Sequence, residues 1–329
     1  MRVDRPGRQG SLVPRVRQRE RGRWDRPSIR GGSDDRVESR TDCRWRRPRP
    51  IGAALTFAAD EAVRVGSGVH LVHVVHLLTQ GPETGLTAET DPERAGRLAL
   101  NAAVEQVRDL APAGVPVTSE LLIGAVVPTL VDAAADARMV VIEHRDLSRM
   151  KRLVTRSVTS GLAAHARVPV VAVPSGWSPP APPEAPRTVT VGVDVPDRCE
   201  HVLRTAAAEA GARGATLHVL HTWTFPSPYE DLAMSRDEDE DWAKRAAAEI
   251  QSVFDTLGAE TSQVPVEIDA RHAYPADALI ESSRTSDLLV IGRHDPAIPI
   301  GSHLGPVARG VLREAACPVL LADPVPTDR

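Results

Sequence analysis

The end of this chain repeats its middle. Residues Arg156–Ala172 align with Gly305–Leu321 at a constant offset of 149, pairing Val158 with Val307, Gly161 with Gly310, and Pro169-Val170 with Pro318-Val319. The same offset pairs Val115-Pro116-Val117 with Val264-Pro265-Val266, and Ile142 and Asp146 with Ile291 and Asp295. Further upstream the offset becomes 148, where Ala59-Asp60-Glu61-Ala62 meets Ala207-Ala208-Glu209-Ala210 and His70 and His73 meet His218 and His221. A period this long indicates one fold used twice in tandem, not the short units of a solenoid. Each copy has roughly 130 residues, enough to bury a core of its own.

Charge is distributed unevenly around this repeat. The chain of 329 residues carries a net charge of -4, but residues 1–50 hold 16 Arg against 7 Asp and Glu, which leaves -13 for the remainder. Lys151 and Lys244 are the only lysines. Cys43, Cys199 and Cys317 lack metal-ligand or redox spacing, which points to a reducing compartment. No apolar run approaches the roughly 20 residues that span a bilayer, and the Arg-rich start lacks the apolar core of a signal peptide. The expectation is a cytoplasmic protein with no membrane partner.

The second copy shows its elements clearly. Thr188–Asp194 reads as a β-rich strand, Glu200–Arg213 as an Ala-rich helix and Ala215–Trp223 as the next strand. The acidic run Asp237–Asp241 leads into a helix through Lys244, Ile250 and Leu257, where acids favour the N-terminal dipole. Strand Val264–Ala270, helix Pro275–Ser283, strand Asp287–Gly292, helix Val307–Glu314 and strand Cys317–Ala322 complete the copy. Strands alternating with helices, with continuous apolar runs late in the chain, specify an α/β fold with a parallel sheet covered on both faces. The first copy follows the same order from Gly52 to Val173, and the Pro-rich segment between the copies is a semi-rigid linker.

Only the opening strand of the first copy has no counterpart. The offset of 148 maps Thr188–Asp194 onto Arg40–Arg46, whose four charged side chains could not be buried on both faces of a sheet without a large desolvation cost. Residues 1–50 have the composition of a disordered arm. Recognisable sequence resumes abruptly near Ile51, which fits a shifted frame or misplaced start better than gradual divergence. The expectation is therefore that residues 1–50 are not the functional N-terminus and that the first sheet has a gap or pairs its remaining strands differently. The resulting layout is an arm over 1–50, an incomplete first domain over 51–174, a linker over 175–186, a second domain over 187–323 and a tail over 324–329.

Several landmarks together resemble the universal stress protein family in its tandem two-domain form: Val191-Gly192-Val193-Asp194 closing a strand, the Ala-rich helix and His-containing strand after it, Val290-Ile291-Gly292, and the closing Val311–Leu321 segment. The resemblance covers roughly residues 51–323. It implies doubly wound, adenine nucleotide alpha hydrolase-like domains with a five-stranded parallel sheet ordered 3-2-1-4-5. It also implies pairing through the last strands, here Val168–Val173 with Cys317–Ala322, as a pseudo-dimer within one chain; a homodimer stays open.

Family members that bind ATP carry G-x2-G-x9-G-[ST] after the fourth strand, where glycines let backbone N–H groups approach phosphates at a helix N-terminus. By this resemblance Asp194 is the adenosine-contacting acid, and Gly292 and Gly305 are the outer glycines. The middle glycine is replaced by Asp295 and the final hydroxyl residue by Pro306, while Gly301-Ser302 offers an alternative cradle. ATP in the second domain therefore stays open. In the first copy the aligned positions are Glu143, Asp146, Arg156 and Ser157, so every glycine is gone. The loop between them carries Arg145, Arg149, Lys151 and Arg152, read as a solvated surface in preference to an anion site.

His73 and His76, like His218 and His221, stand three apart on strands and so point to opposite faces; packing roles are expected and no metal. His272, His294 and His303 fall near the strand C-terminal edge, where doubly wound folds bind ligands. No nucleophile–base–acid set can be assembled from spacing, so no enzyme activity is expected. The leading reading is a non-catalytic, stress-associated regulatory or nucleotide-sensing binding protein. The alternatives are an ATP-binding member with weak hydrolysis through the second domain, and a protein tethered to nucleic acid by its arm. Sparse aromatics (Trp24 and Trp45) in the arm and an acidic body argue against the last.

Overall fold

In the computed structural model the described residues are 11–17, 52–76, 92–112, 114–144, 152–180, 186–224, 236–258, 261, 263–293 and 304–322. The strands are β1 (Ser11–Arg17), β2 (Gly68–Val75), β3 (Val117–Ile123), β4 (Ala137–His144) and β5 (Val170–Pro174), then β6 (Thr188–Val193), β7 (Thr216–Trp223), β8 (Val266–His272), β9 (Leu288–Ile291) and β10 (Val319–Leu321). The helices are α1 (Ala53–Arg64), α2 (Pro92–Leu110), α3 (Val126–Ala133) and α4 (Arg152–His165), then α5 (Glu200–Arg213), α6 (Arg236–Thr256), α7 (Pro275–Ser282) and α8 (Pro306–Glu314). The repeat is carried residue for residue: β2 and β7 begin and end at positions 148 apart, while β3 and β8, and α3 and α7, do so at 149. Gly66 and Gly214, also equivalent, both adopt positive φ (62° and 59°) where α1 and α5 turn into the next strand, a conformation open to glycine at little cost. The acidic run occupies the first turn of α6 as expected.

All ten strands form one sheet in the order β3-β2-β1-β4-β5-β10-β9-β6-β7-β8. Each half has the order 3-2-1-4-5, and β5 meets β10 antiparallel with Val170, Val171 and Ala172 opposite Leu321, Leu320 and Val319. The two closing strands therefore pair as expected. Because side chains alternate across a strand, the seam feeds both faces. Val171, Val173 and Leu320 join the apolar layer under α1, α2, α5 and α6. Val170, Ala172, Val319 and Leu321 join the opposite layer under α3, α4, α7 and α8. Each layer runs unbroken from one copy into the other.

Two expectations for residues 1–50 are corrected. The first sheet has no gap, and the arm is not wholly without structure: Ser11–Arg17 lies between β2 and β4, in the place that β6 holds in the second half. The direction is reversed, since β1 is antiparallel to both neighbours whereas β6 is parallel to both of its own. Such a strand cannot be found by sliding the repeat along the sequence, because it comes from well upstream of the aligned segment and runs the other way. Pairing with β4 begins only at Arg15, after Pro14, which has no N–H to give a ladder.

Across the seam lies a buried ionic cluster built on equivalent positions of the two copies. Glu61 of α1 and Glu209 of α5, related by the 148 offset, are 0% and 5% exposed. Arg213 reaches Glu61 of the other copy at 2.8 Å and also holds Glu209. Arg64 donates to Glu61 at 2.5 Å, and Arg138 approaches Glu209 at 4.0 Å. Burial raises the Glu209 pKa, opposed by Arg213 and assisted by the neighbouring Glu61 charge.

Two outcomes follow for stability. Arg213→Ala leaves two buried carboxylates short of their shared cation and is expected to cost about 3–5 kcal/mol in urea unfolding. Arg204→Ala, which removes an exposed pair with Glu200, is expected to stay within about 0.5 kcal/mol. Because folding raises the Glu209 pKa, its protonated form favours the fold. That contribution is complete below the ordinary glutamate value of 4.5 and fades as pH rises through the elevated one. Glu209→Gln should flatten this part of the stability–pH curve.

Candidate functional site

In doubly wound sheets ligands bind beyond the carboxyl ends of the strands, at the point where strand order reverses. In the second half that point lies between β6 and β9, which are neighbours in the sheet. Asp194 follows the last residue of β6 and is exposed, free to meet a ligand. The preceding Val193 carbonyl accepts a hydrogen bond at 3.0 Å from Nδ1 of His221, which is buried at the end of β7. This bond places the proton on Nδ1 and fixes the strand end from which Asp194 projects. The His221 ring also lies 5.8 Å from that of Trp223.

Gly292 follows β9 and is exposed, and a Cβ added there would meet no described residue within 4 Å. Gly305 is the N-cap of α8 with φ -64° and ψ 168°, and Pro306 takes the first helical position. Asp194, Gly292 and Gly305 thus border the same strand edge. Pro306 removes one amide donor, but the first-turn N–H groups of a helix have no partners inside it, so the following residues still offer donors. Gly301, Ser302, Asp295, His294 and His303 lie outside the described residues.

The first half differs at the positions equivalent to Gly292 and Gly305. Glu143 stands where the second half has Gly292, and its Oε2 lies 3.1 Å from where a Cβ on Gly52 would sit. Gly52 is the N-cap of α1, a helix with no acidic residue in its first turn, so the carboxylate lies where the helix dipole favours an anion. Arg156 and Ser157, which align with the end of the second copy's loop, both fall inside α4, which starts at Arg152. The counterpart of Ser157 is Pro306, and proline is accommodated only in a helix's first turn, so α8 starts there and α4 can start earlier. Arg145, Asp146, Arg149 and Lys151 lie outside the described residues.

The histidines divide as packing residues do, with His221 the exception that sequence reading placed among them. His73 is buried and its pKa is lowered by that burial. His76 is bonded to the Gly124 carbonyl at 3.2 Å, and His218 lies 3.3 Å from the Thr190 hydroxyl. Burial pushes the thiols of Cys199 and Cys317 up to about 11 and about 12, leaving them in the unreactive protonated form. Among the described residues no cluster of three His, Cys, Asp or Glu side chains is placed to hold a metal ion.

Arg293 is a second residue that no motif signalled. It follows Gly292 directly, yet its guanidinium turns to the first half, donating to the Ala166 carbonyl and, at 2.6 Å, to the Val168 carbonyl beyond the end of α4. The loop entrance after β9 is therefore anchored to the other copy.

The universal stress protein family model matches residues 51–174 and again 186–323. The chain belongs to the universal stress protein family. A universal stress protein of Mycobacterium tuberculosis is 31% identical over 212 residues, 63% of this chain and 65% of the relative, so the match spans about two thirds of that protein. One from Mycolicibacterium smegmatis is 28% identical over 278 residues, covering 83% of this chain and 92% of the relative. The crystal structure of a universal stress protein from Archaeoglobus fulgidus superposes with a TM-score of 0.57 at 16% identity, covering 82% of this chain and 91% of that one, a likeness of fold. Among the described residues no helix is long and apolar enough to cross a membrane.

Two glycines at this edge should respond differently to an added methyl group. Gly192, inside β6, would bring a Cβ within 2.9 Å of a Leu279 methyl, so Gly192→Ala is expected to cost about 1–3 kcal/mol by urea unfolding. Gly292→Ala meets open space and should leave stability within about 0.5 kcal/mol.

Proposed function

We propose that this universal stress protein is a non-catalytic, nucleotide-responsive regulatory protein in which only the second domain takes an adenine nucleotide. The observation that carries this reading is the contrast at the end of the fourth strand of each copy. Among the described residues nothing fills the space above Gly292, whereas Glu143 puts a carboxylate against Gly52 and the first turn of α1. The Glu143 side chain occupies, in the first copy, the position where the second has only the backbone of Gly292.

In the second domain the roles follow from chemistry. The Asp194 carboxylate accepts hydrogen bonds from ribose hydroxyls, and His221 keeps the strand end in register for it. Gly292 permits close approach of the backbone, and Gly305 opens the helix whose N-terminal field favours phosphate. Gly301 and Ser302 are assigned the alternative cradle that compensates for Asp295 and Pro306. ATP, when bound, supplies the adenosine and phosphate groups that these residues recognise. The reading assigns binding and no bond-breaking step. Arg293 supports a signalling role, because it ties the rim of this site to the first domain.

Equilibrium ATP binding to the purified chain tests this. Asp194→Ala is expected to abolish binding, while Glu143→Ala leaves it unchanged. Equal loss from both substitutions, or no binding by the unaltered protein at millimolar ATP, would overturn the reading.

A further inference from the structure

A second concavity lies at the opposite edge of the second-domain sheet, where β6 and β9 begin. It is a cleft of about 510 Å³ formed by α1, the end of α2, the linker and the start of the second copy. Its size is that of a small-molecule site. Phe57 and Trp177 form one apolar surface, with ring centroids 5.8 Å apart in an edge-on contact. Pro179, Pro180, Leu110 and Pro112 extend it. These are flat or rigid groups that offer contact area with little side-chain entropy to lose.

Five charged side chains line the rest. Three are committed elsewhere: Arg213 to Glu61 and Glu209, Asp287 to the Thr188 amide at 2.8 Å, and one nitrogen of Arg64 to Glu61. Arg187 is half-buried and makes no ion pair with a described residue. Asp60 is exposed at the rim of the cleft and feels both Arg64 and Arg187, yet neither closes to ion-pair distance. The cleft therefore sets two guanidinium groups with unused donors beside one carboxylate that lacks a direct cationic partner.

We propose that this cleft is a binding site for a small aromatic carboxylate that also carries an N–H donor. The ring lies against Trp177 and the prolines, the carboxylate meets Arg187 and the outer edge of Arg64, and the N–H meets Asp60. A planar guanidinium fork suits a carboxylate in a two-point contact. The site is distinct from the one bordered by Asp194 and Gly292, since the cleft lies where β6 and β9 start and those residues lie where they end. A ligand here would touch both copies and the linker at once.

Isothermal titration with indole-3-acetate as the probe decides the matter, with tryptamine, the same ring bearing a cation, as its counterpart. Expected are saturable binding of indole-3-acetate at one molecule per chain, at least tenfold weaker binding by Arg187→Glu, and an unchanged isotherm for Asp194→Ala. Trp177→Ala should also weaken binding, and thermal melts of each variant show whether it is folded. No heat at millimolar indole-3-acetate, equal binding of tryptamine, or binding by folded Arg187→Glu equal to that of the unaltered protein would each overturn the proposal.

Discussion

The antiparallel pairing of β5 with β10 is the constraint on which the rest of the molecule depends. Without it each copy would end in a bare, apolar edge strand, an arrangement that invites association with other chains. With it two five-stranded sheets become one of ten, and the apolar layers on both faces become continuous across the junction. The contact is short, with three residue pairs along the seam, so the ladder alone does not fix the geometry. The buried cluster of Glu61, Glu209 and Arg213 adds a second, directional link beside it. Two glutamates inherited at equivalent positions face each other, and an arginine present in one copy bridges them; its counterpart in the other is Val65.

The same pairing decides where ligands can approach. Since β5 and β10 run in opposite directions, the carboxyl ends of the two sets of parallel strands open on opposite sides of the sheet. Among the described residues the first copy's edge is partly filled by Glu143, whereas nothing fills the space above Gly292 in the second. The linker then has to pass the amino-terminal edge of the second copy, where Trp177 packs on Phe57 and a cleft results.

Most of the fold was legible in the sequence because it is written twice. An amphipathic helix or buried strand that recurs at a fixed spacing is identified with more security than either occurrence alone, and the equivalent ends of β2 and β7 or of α3 and α7 show it. The exception was β1: no repeat comparison finds a strand drawn from far upstream and inserted backwards. Within the candidate site, Asp194, Gly292 and Gly305 were named by resemblance to a family motif, and the structure places the first two at the ends of β6 and β9 and the third at the start of α8. His221 and Arg293 were not. Each acts through a backbone carbonyl, and sequence contains no mark of which carbonyl a long side chain will meet.

The central claim is that one copy has kept an adenine-nucleotide site while the other has closed its own. The most direct measurement is the stoichiometry of ATP binding to the full chain by equilibrium dialysis at saturating nucleotide. One molecule per chain is the predicted result. Two per chain would mean that Glu143 does not close the first copy, and none would mean that the open space above Gly292 holds no nucleotide; either would contradict the account.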